Sequence, residues 1–222
     1  MNIAHRGFTK IFPDNTLEAF EAAIQLGVDG IECDVQETAD HNFVVFHDSQ
    51  LLGQDIERLS LAEIHSVKLE GKFEIPTLEQ TLDLCQKRVK LVVELKKVWA
   101  VDRLLTLLRA VAKPTEITVA SFNHDLVSKA SNLAPEIQTA IITARPIKNP
   151  FRMAESVKSD IIIMRFPFAT AELAEKIHRH KLSIFVWDCV GLKDVRTALG
   201  LDIDGIISDF PDLVMRELDR AA

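Results

Sequence analysis

The chain has 222 residues, and 47% of them are hydrophobic, which suits a folded protein with a sizeable core and argues against disorder. Its 26 lysines and arginines are outnumbered by 33 aspartates and glutamates, and the net charge of −7 argues against nonspecific binding to nucleic acid or to anionic membranes. We expect a cytoplasmic protein without stable membrane insertion, because the three cysteines are scattered, no secretory leader is visible, and no apolar run approaches the ~20 residues of a membrane span.

Short β-branched runs alternate with amphipathic helical patterns along most of the chain. The predicted strands cover residues 2–6, 30–36, 90–96, 117–122, 137–143, 160–165, 183–188 and 204–208. The predicted helices cover residues 16–26, 60–68, 77–88, 101–112, 124–133, 151–158, 171–180 and 192–199. Such alternation implies parallel strands with helical crossovers, and eight strands in this length predict an α/β fold, a TIM (β/α)8 barrel, in a single domain spanning residues 1–222.

Several predicted helices carry start or stop signals. Asn15 with Glu18, Ser60 with Glu63 and Thr77 with Gln80 fit the spacing of a capping box or a close variant. Gly27 and Gly200 follow helices at positions where a left-handed residue is useful.

One apolar run does not fit the barrel count. "FVVFHD" (43–48) follows the second strand after only four residues, too few for a parallel crossover. We therefore predict a short β-hairpin after strand 2 that returns to the barrel mouth. In that hairpin Asp34 would lie roughly opposite His47.

Polar side chains gather at the C-terminal ends of the predicted strands, where TIM barrels carry their active sites. Since alternate residues of a strand share a face, the set predicted at this rim is His5, Glu32, Asp34, His47, Glu94 and Lys96. Three converging carboxylates repel one another unless a cation lies among them, and oxygen ligands suit Mg²⁺ or Ca²⁺. Arg6 and Lys96 suit a phosphate group, and Gly7 would let the backbone approach it. Two histidines can transfer protons near neutral pH, so we predict metal-assisted phosphodiester cleavage.

The same residues lie in motifs that resemble those of the glycerophosphodiester phosphodiesterase family. The motifs, in order over residues 3–211, are "AHRG", "PDNTLEAFEAAIQLGVDGIECDVQET", "VVFHD", "IPTLEQTL", "VVELK", "SF" and "DGIISDFP". This resemblance implies a TIM barrel that hydrolyses small-molecule glycerophosphodiesters to glycerol 3-phosphate and an alcohol.

The resemblance also implies a role for each residue at the rim. His5 and His47 match the acid–base pair; Glu32, Asp34 and Glu94 match the ligands of a divalent cation, Mg²⁺ or Ca²⁺; and Arg6, Lys96 and Trp187 match substrate-binding residues. Asn15 matches a motif asparagine that we interpret as a structural helix cap. Trp187 could equally pack in the core, and for Phe122, Phe166 and Phe168 core packing is our expectation.

Two alternatives remain open at this point. The same chemistry could act on lysophospholipids, as a lysophospholipase D, or the protein could bind phosphodiesters without turnover. The chain departs from common family patterns after the "HD" pair, where it reads "SQLLGQDIERLS", and in the seventh strand, where it reads "WDCV". The headgroup, the choice between Mg²⁺ and Ca²⁺, the acid–base assignment, the nucleophile (water or the glycerol 2-hydroxyl) and the oligomeric state therefore stay open.

Overall fold

A computed structural model describes residues 1–111, 113 and 116–221. Its strands are β1 (Asn2–His5), β2 (Gly30–Glu37), β3 (Phe43–Val45), β4 (Gln50–Leu51), β5 (Gln54–Asp55), β6 (Lys90–Lys97), β7 (Ile117–Ser121), β8 (Gln138–Thr143), β9 (Ile161–Arg165), β10 (Ser183–Trp187) and β11 (Gly205–Ser208). Its helices are α1 (Leu17–Leu26), α2 (Leu61–His65), α3 (Leu78–Cys85), α4 (Val101–Val111), α5 (His124–Leu133), α6 (Pro150–Ser156), α7 (Ala171–Arg179), α8 (Leu192–Leu199) and α9 (Pro211–Ala221), with a 3₁₀ turn at Ile56–Arg58.

Eight parallel strands close into a barrel. Around the barrel their order is β1, β2, β6, β7, β8, β9, β10 and β11, and the pairing of β11 with β1 completes the closure. The predicted TIM barrel is thus confirmed. Every predicted strand is present, and the helices α1 and α3 to α8 cover the outside between consecutive barrel strands. The sequence patterns missed α9 and the two-residue strands β4 and β5.

The predicted hairpin is also confirmed, with a shift of one residue. β3 runs antiparallel to β2, with Val45 paired to Val35. In this register Phe46 lies opposite Asp34 and donates its backbone N–H to the Asp34 carbonyl at 2.9 Å. His47 therefore follows the end of the ladder, where the chain turns along the mouth.

Helix ends follow local chemistry in most places. Ser60 with Glu63 and Thr77 with Gln80 form capping boxes as predicted, although α2 and α3 end three residues before the predicted limits. Gly27 has φ 88° and ends α1 in the left-handed region as expected. Gly200 does not adopt the left-handed conformation, since its φ is −85°. The helix α8 ends in a turn in which the Gly200 N–H donates to the Thr197 carbonyl at 3.1 Å. Residue 112, the end of the predicted helix 101–112, lies outside the described residues.

Two apolar layers hold the barrel. Its interior is filled by side chains such as Ile3, Val92, Ile163 and Phe185, while the alternate residues pack outward against the helices. Cys33 belongs to the outward layer, as predicted, together with Phe20 of α1. Because strand side chains alternate, this arrangement turns the even-numbered residues of β2 toward the barrel axis.

Residues 48–76 form a small layer over the hairpin and share an apolar cluster with β3. The cluster consists of Val44, Leu51, Ile56, Leu59, Ile64 and Ile75. It anchors the segment that carries His47 at the mouth. None of the helices in the described part of the chain combines the length and the apolar character needed to cross a membrane.

Candidate active site

A cavity opens at the C-terminal ends of the barrel strands, and its wall is divided into two halves. The polar half comes from β1, β2, β6 and the segment after β3, and consists of His5, Arg6, Glu32, His47, Glu94 and Lys96. The apolar half comes mainly from β7 to β11, and its residues are Val92 (on β6), Phe122, Ile142, Ile163, Trp187 and Ile207. The structure therefore brings together all the predicted rim residues except Asp34, which lies buried directly behind Arg6 and Lys96.

The three predicted carboxylates converge. One oxygen each from Glu32, Asp34 and Glu94 lies within 4.8 Å of the others, and all three side chains are buried. Glu32 Oε1 is buried with no hydrogen-bond partner among the described residues. A buried carboxylate oxygen without a partner is costly, and a hard cation would supply the missing contact. The donor set therefore fits a divalent cation such as Mg²⁺ or Ca²⁺.

Two cations lie against the carboxylates from the polar half of the mouth. Arg6 Nε lies 3.0 Å from Asp34 Oδ2, and Lys96 Nζ lies 2.7 Å from Glu94 Oε1 and 3.3 Å from Asp34 Oδ1. When all three carboxylates and both cations are ionised, the cluster keeps one excess negative charge. Arg6 has φ 57°, a left-handed conformation that turns the chain sharply at the end of β1.

The electrostatic balance differs among the three carboxyl groups. Burial, together with the charges of Asp34 and Glu94, raises the pKa of Glu32 well above its usual value. Burial also raises the pKa of Glu94, against the opposing charge of Lys96. Burial acts in the same direction on Asp34, but Lys96, Arg6 and the Asn15 amide outweigh it, so the pKa of Asp34 is lowered. Glu32 is thus the carboxylate most in need of added positive charge.

Each of the two predicted histidines has a carboxylate on its Nδ1. His5 Nδ1 lies 2.6 Å from Asp209 Oδ1, while its Nε2 lies 3.7 Å from Glu32 Oε2. His47 Nδ1 lies 2.8 Å from Asp48 Oδ1. A carboxylate on one ring nitrogen fixes the orientation of the ring and leaves Nε2 for chemistry at the cavity.

These partner carboxylates were absent from the predicted site. The signal for Asp209 was available, however, because closure of the barrel puts the last strand beside the first. β1 pairs with β11 so that Ala4 lies beside Ser208, and His5 and Asp209 are the next residues of the two strands. The contact with His5 lowers the pKa of Asp209 through a hydrogen bond, which keeps it charged.

Asn15 does not cap α1, contrary to our expectation. The N-cap is Thr16, whose hydroxyl accepts the Ala19 N–H at 3.2 Å. Asn15 is buried with φ 57°, donates its amide to Asp34 Oδ2 at 2.8 Å and accepts the Asp34 N–H at 3.1 Å. It therefore fixes the orientation of a carboxylate in the acidic cluster, and asparagine tolerates the left-handed backbone better than most residues.

Gly7 also differs from the expectation that it would bring the backbone close to a phosphate. Its φ is 90°, and a Cβ there would lie 2.7 Å from the backbone carbon of Ala19. The close approach that requires glycine is thus to α1, and it holds the β1–α1 segment against the helix.

We expect the Asn15→Gly variant to lose about 10- to 100-fold in kcat, because the Asp34 carboxylate loses its orienting partner while the left-handed backbone stays accessible. The matched control is Thr16→Ala, which removes the neighbouring helix cap and costs about 0.5–2 kcal/mol of stability without touching Asp34. Urea unfolding and initial rates measured on both variants check the prediction. Equal activity losses in the two variants would show that Asn15 acts through stability alone.

Aromatic side chains form the upper part of the apolar half. The Phe122 and Trp187 rings meet edge to face at 6.0 Å, and Trp187 Nε1 donates to the Thr143 carbonyl at 3.2 Å. Phe122 is 44% exposed and lines the cavity, so the expectation of core packing was wrong for it. Phe166 is buried in the layer under the helices as expected, and Phe168 is half-buried. Trp187 does both things considered for it, since it packs against the apolar interior of the barrel and also lines the cavity.

Comparisons with a family model and with known proteins point to the same family. The model of the Glycerophosphoryl diester phosphodiesterase family matches residues 5–213. A glycerophosphodiester phosphodiesterase of Bacillus altitudinis is 30% identical over 234 residues, covering 96% of each chain. Another of that name from Caldanaerobacter subterraneus subsp. tengcongensis is 28% identical over 231 residues, covering 96% of this chain and 95% of the relative.

Solved structures share the fold over almost the whole chain. An Oleispira antarctica phosphodiesterase in complex with the product sn-glycerol-3-phosphate superimposes with a TM-score of 0.91 at 21% identity, covering 98% of this chain and 96% of that one. A glycerophosphodiester phosphodiesterase from Thermotoga maritima gives a TM-score of 0.84 at 23% identity, with 98% of each chain covered. At these identities the likeness establishes the barrel fold.

Proposed function

This chain belongs to the glycerophosphoryl diester phosphodiesterase family, and we propose that it hydrolyses glycerophosphodiesters to glycerol 3-phosphate and an alcohol. The observation that carries the proposal is the polar half of the mouth, where two histidines, two cations and the carboxylates of Glu32 and Glu94 line one cavity, with the Asp34 carboxylate directly behind them. The Oleispira antarctica relative with bound sn-glycerol-3-phosphate supports a substrate of this class. We treat residues 1–222 as one such domain.

Glu32, Asp34 and Glu94 would hold a divalent cation, Mg²⁺ or Ca²⁺, which when bound would neutralise phosphate charge and lower the pKa of the nucleophile. Arg6 and Lys96 border the same space, and their side chains would bind the phosphate oxygens and orient the diester. Trp187 and the apolar half would bind the remainder of the substrate.

His5 and His47 would transfer the protons. One ring would accept a proton from the nucleophile, which is water or the glycerol 2-hydroxyl, and the other would donate a proton to the leaving alcohol. Asp209 and Asp48 would keep each Nε2 available at the cavity. Such proton transfers typically contribute ~10²–10⁴-fold each to the rate.

The presence of both histidines argues against a protein that only binds phosphodiesters, because binding requires no proton transfer. The apolar half of the cavity keeps a lysophospholipase D activity as the second candidate, since it offers a surface for an acyl chain. A cytoplasmic location is also part of the proposal, and it is supported by Cys33, Cys85 and Cys189, which are buried as free thiols.

We expect glycerol 3-phosphate to be released from at least one member of a panel of glycerophosphocholine, glycerophosphoethanolamine and glycerophosphoglycerol in the presence of Mg²⁺ or Ca²⁺. A coupled glycerol 3-phosphate assay, run with each metal and after chelation, measures the headgroup and metal preference together. Chelation should abolish turnover, and added metal should restore it. Turnover that persists in chelator would contradict the metal role. Release of choline from lysophosphatidylcholine, with no glycerol 3-phosphate released from the panel, would favour the second candidate.

A further inference from the structure

Exposed large apolar side chains are concentrated at the mouth end of the barrel. Of the nine such residues in the described part of the chain, only Met1 and Leu133 lie at the opposite end. The other seven lie in segments that follow barrel strands, and we call them the mouth ring: Ile11, Leu52, Trp99, Phe122, Val190, Leu192 and Phe210. Single exposed apolar residues are normal on any surface, but their concentration around one opening is typical of an interaction site.

The backbone conformation of Leu52 provides independent support for an interaction site, because it is unfavourable for a leucine. It lies in the two-residue turn between β4 and β5, with φ 50°, and Gly53 follows with φ 80°. Such turns favour Asn-Gly or Asp-Gly, and a leucine with positive φ is strained. This leucine is also 81% exposed, so packing within the fold does not repay the strain. Burial of the Leu52 side chain against a partner outside the chain would offset this strain.

Trp99 is presented outward from a fixed backbone. Its indole side chain is 56% exposed, yet its backbone N–H donates to Glu37 Oε2 at 2.8 Å, and the Ala100 N–H donates to the same oxygen at 2.9 Å. The Glu37 carboxylate is itself buried. A tryptophan held in this way suits the boundary between water and lipid, where an apolar ring with one polar N–H is most favourable.

The arrangement of the mouth ring favours a lipid surface over a protein partner. The ring lies around the entrance, so a protein bound there would close the cavity. A lipid surface would instead present a lysophospholipid, the substrate of the second candidate function, to the apolar half. Phe122 belongs both to the ring and to the apolar half of the cavity, so the two surfaces are continuous.

The charge of the protein favours zwitterionic over anionic lipid. Lys10, Arg58, Lys97 and Arg165 at this end are paired with carboxylates, whereas Arg145, Lys148 and Lys193 have no ion-pair partner among the described residues. With a net charge of −7 for the chain, anionic lipid offers little attraction. We propose that the mouth ring docks this protein onto zwitterionic lipid surfaces, with Leu52, Trp99 and Val190 inserted among the headgroups.

The test is cosedimentation with phosphatidylcholine vesicles in buffer with chelator, which requires no turnover and so is independent of the proposed function. We expect the wild-type protein to bind, with little dependence on salt. Leu52→Asn should lower the partition coefficient about tenfold, the cost of leaving one leucine out of an apolar phase, and should fold at least as well, since asparagine suits the turn. Val190→Thr, an isosteric change at a 67% exposed residue, should lower it by a smaller factor.

Leu133→Asn is the matched control, because Leu133 is 46% exposed at the opposite end of the barrel. It should bind vesicles like the wild type, and all three variants should keep wild-type activity on soluble glycerophosphodiesters. Absence of wild-type binding, or equal losses in Leu52→Asn and Leu133→Asn, would overturn the proposal. A dimer in size-exclusion chromatography that Leu52→Asn dissociates, without vesicle binding, would instead assign the ring to a second copy of the chain. Vesicle binding without turnover would contradict the proposed function alone.

Discussion

Replacing His5 with alanine is expected to lower kcat by about 10²–10⁴-fold with little change in the free energy of unfolding. The imidazole is held between Asp209 on Nδ1 and the acidic cluster beyond Nε2, at the edge of the cavity. Alanine removes the proton-transfer group but leaves the underlying barrel packing in place. Initial rates on the preferred glycerophosphodiester, with thermal unfolding of both proteins, measure the two quantities. We expect His47→Ala to behave in the same way.

The control for His5→Ala is His180→Ala. His180 Nδ1 also lies 2.6 Å from a carboxylate, that of Glu155, but this pair lies outside the mouth. The control should therefore keep wild-type activity. Near-native turnover by His5→Ala would show that its ring transfers no proton in the rate-limiting step.

Substrates with different leaving groups can separate the roles of the two histidines. A p-nitrophenyl phosphodiester releases a stable anion that needs no protonation, so loss of the general acid matters less for it than for an alkyl alcohol. The alanine variant that recovers activity on the p-nitrophenyl ester identifies the histidine that protonates the leaving group. If both variants remain equally impaired on both esters, neither ring acts mainly on the leaving group.

The fold was predictable because its signals are local. Strand alternation placed Glu32 inward and Cys33 outward, and the short "ADHN" connection required an antiparallel hairpin. The exact register was not predictable, because the turn geometry shifts the pairing by one residue and places Phe46 opposite Asp34.

The parts of the site that sequence reasoning missed depend on contacts between distant segments. Asp209 contacts His5 across the closure of the barrel, 204 residues away in the chain. Asn15 has the residue type and position of a helix cap, but its left-handed backbone points the amide at Asp34 and leaves the cap to Thr16. A capping pattern in sequence does not determine the φ angle of the first residue, and here that angle decides the role.

Replacing Glu32 with glutamine is expected to lower turnover by at least about a hundredfold and, in metal-free buffer, to raise the thermal midpoint of unfolding. The Glu32 carboxylate is buried beside Asp34 and Glu94, and one oxygen has no hydrogen-bond partner among the described residues. Glutamine keeps the shape and removes one of three like charges, so relief of about 1–2 kcal/mol is expected, within the range found when functional strain is removed.

The pH dependence of this gain follows from the raised pKa of Glu32, which has burial as its main cause. Both states of the protein are protonated at this group below the unfolded pKa of about 4.3, so the charge costs nothing there. As the pH rises above that value, the unfolded state loses the proton first, and the metal-free wild-type protein loses stability until the raised pKa is passed. The advantage of Glu32→Gln should therefore grow from about pH 4 toward neutrality.

Glu37→Gln, on the same strand, is the control with the opposite sign. Glu37 is equally buried, but its carboxylate accepts the backbone N–H groups of Trp99 and Ala100, and these bonds with His41 outweigh burial and lower its pKa. Removing its charge should lower the thermal midpoint. Added Mg²⁺ or Ca²⁺ should then stabilise the wild-type protein and Glu37→Gln but not Glu32→Gln, because a ligand that binds only the folded state raises its stability. A lower midpoint for Glu32→Gln in metal-free buffer would mean that the carboxylate is already satisfied, and the acidic cluster would then have no need of a cation.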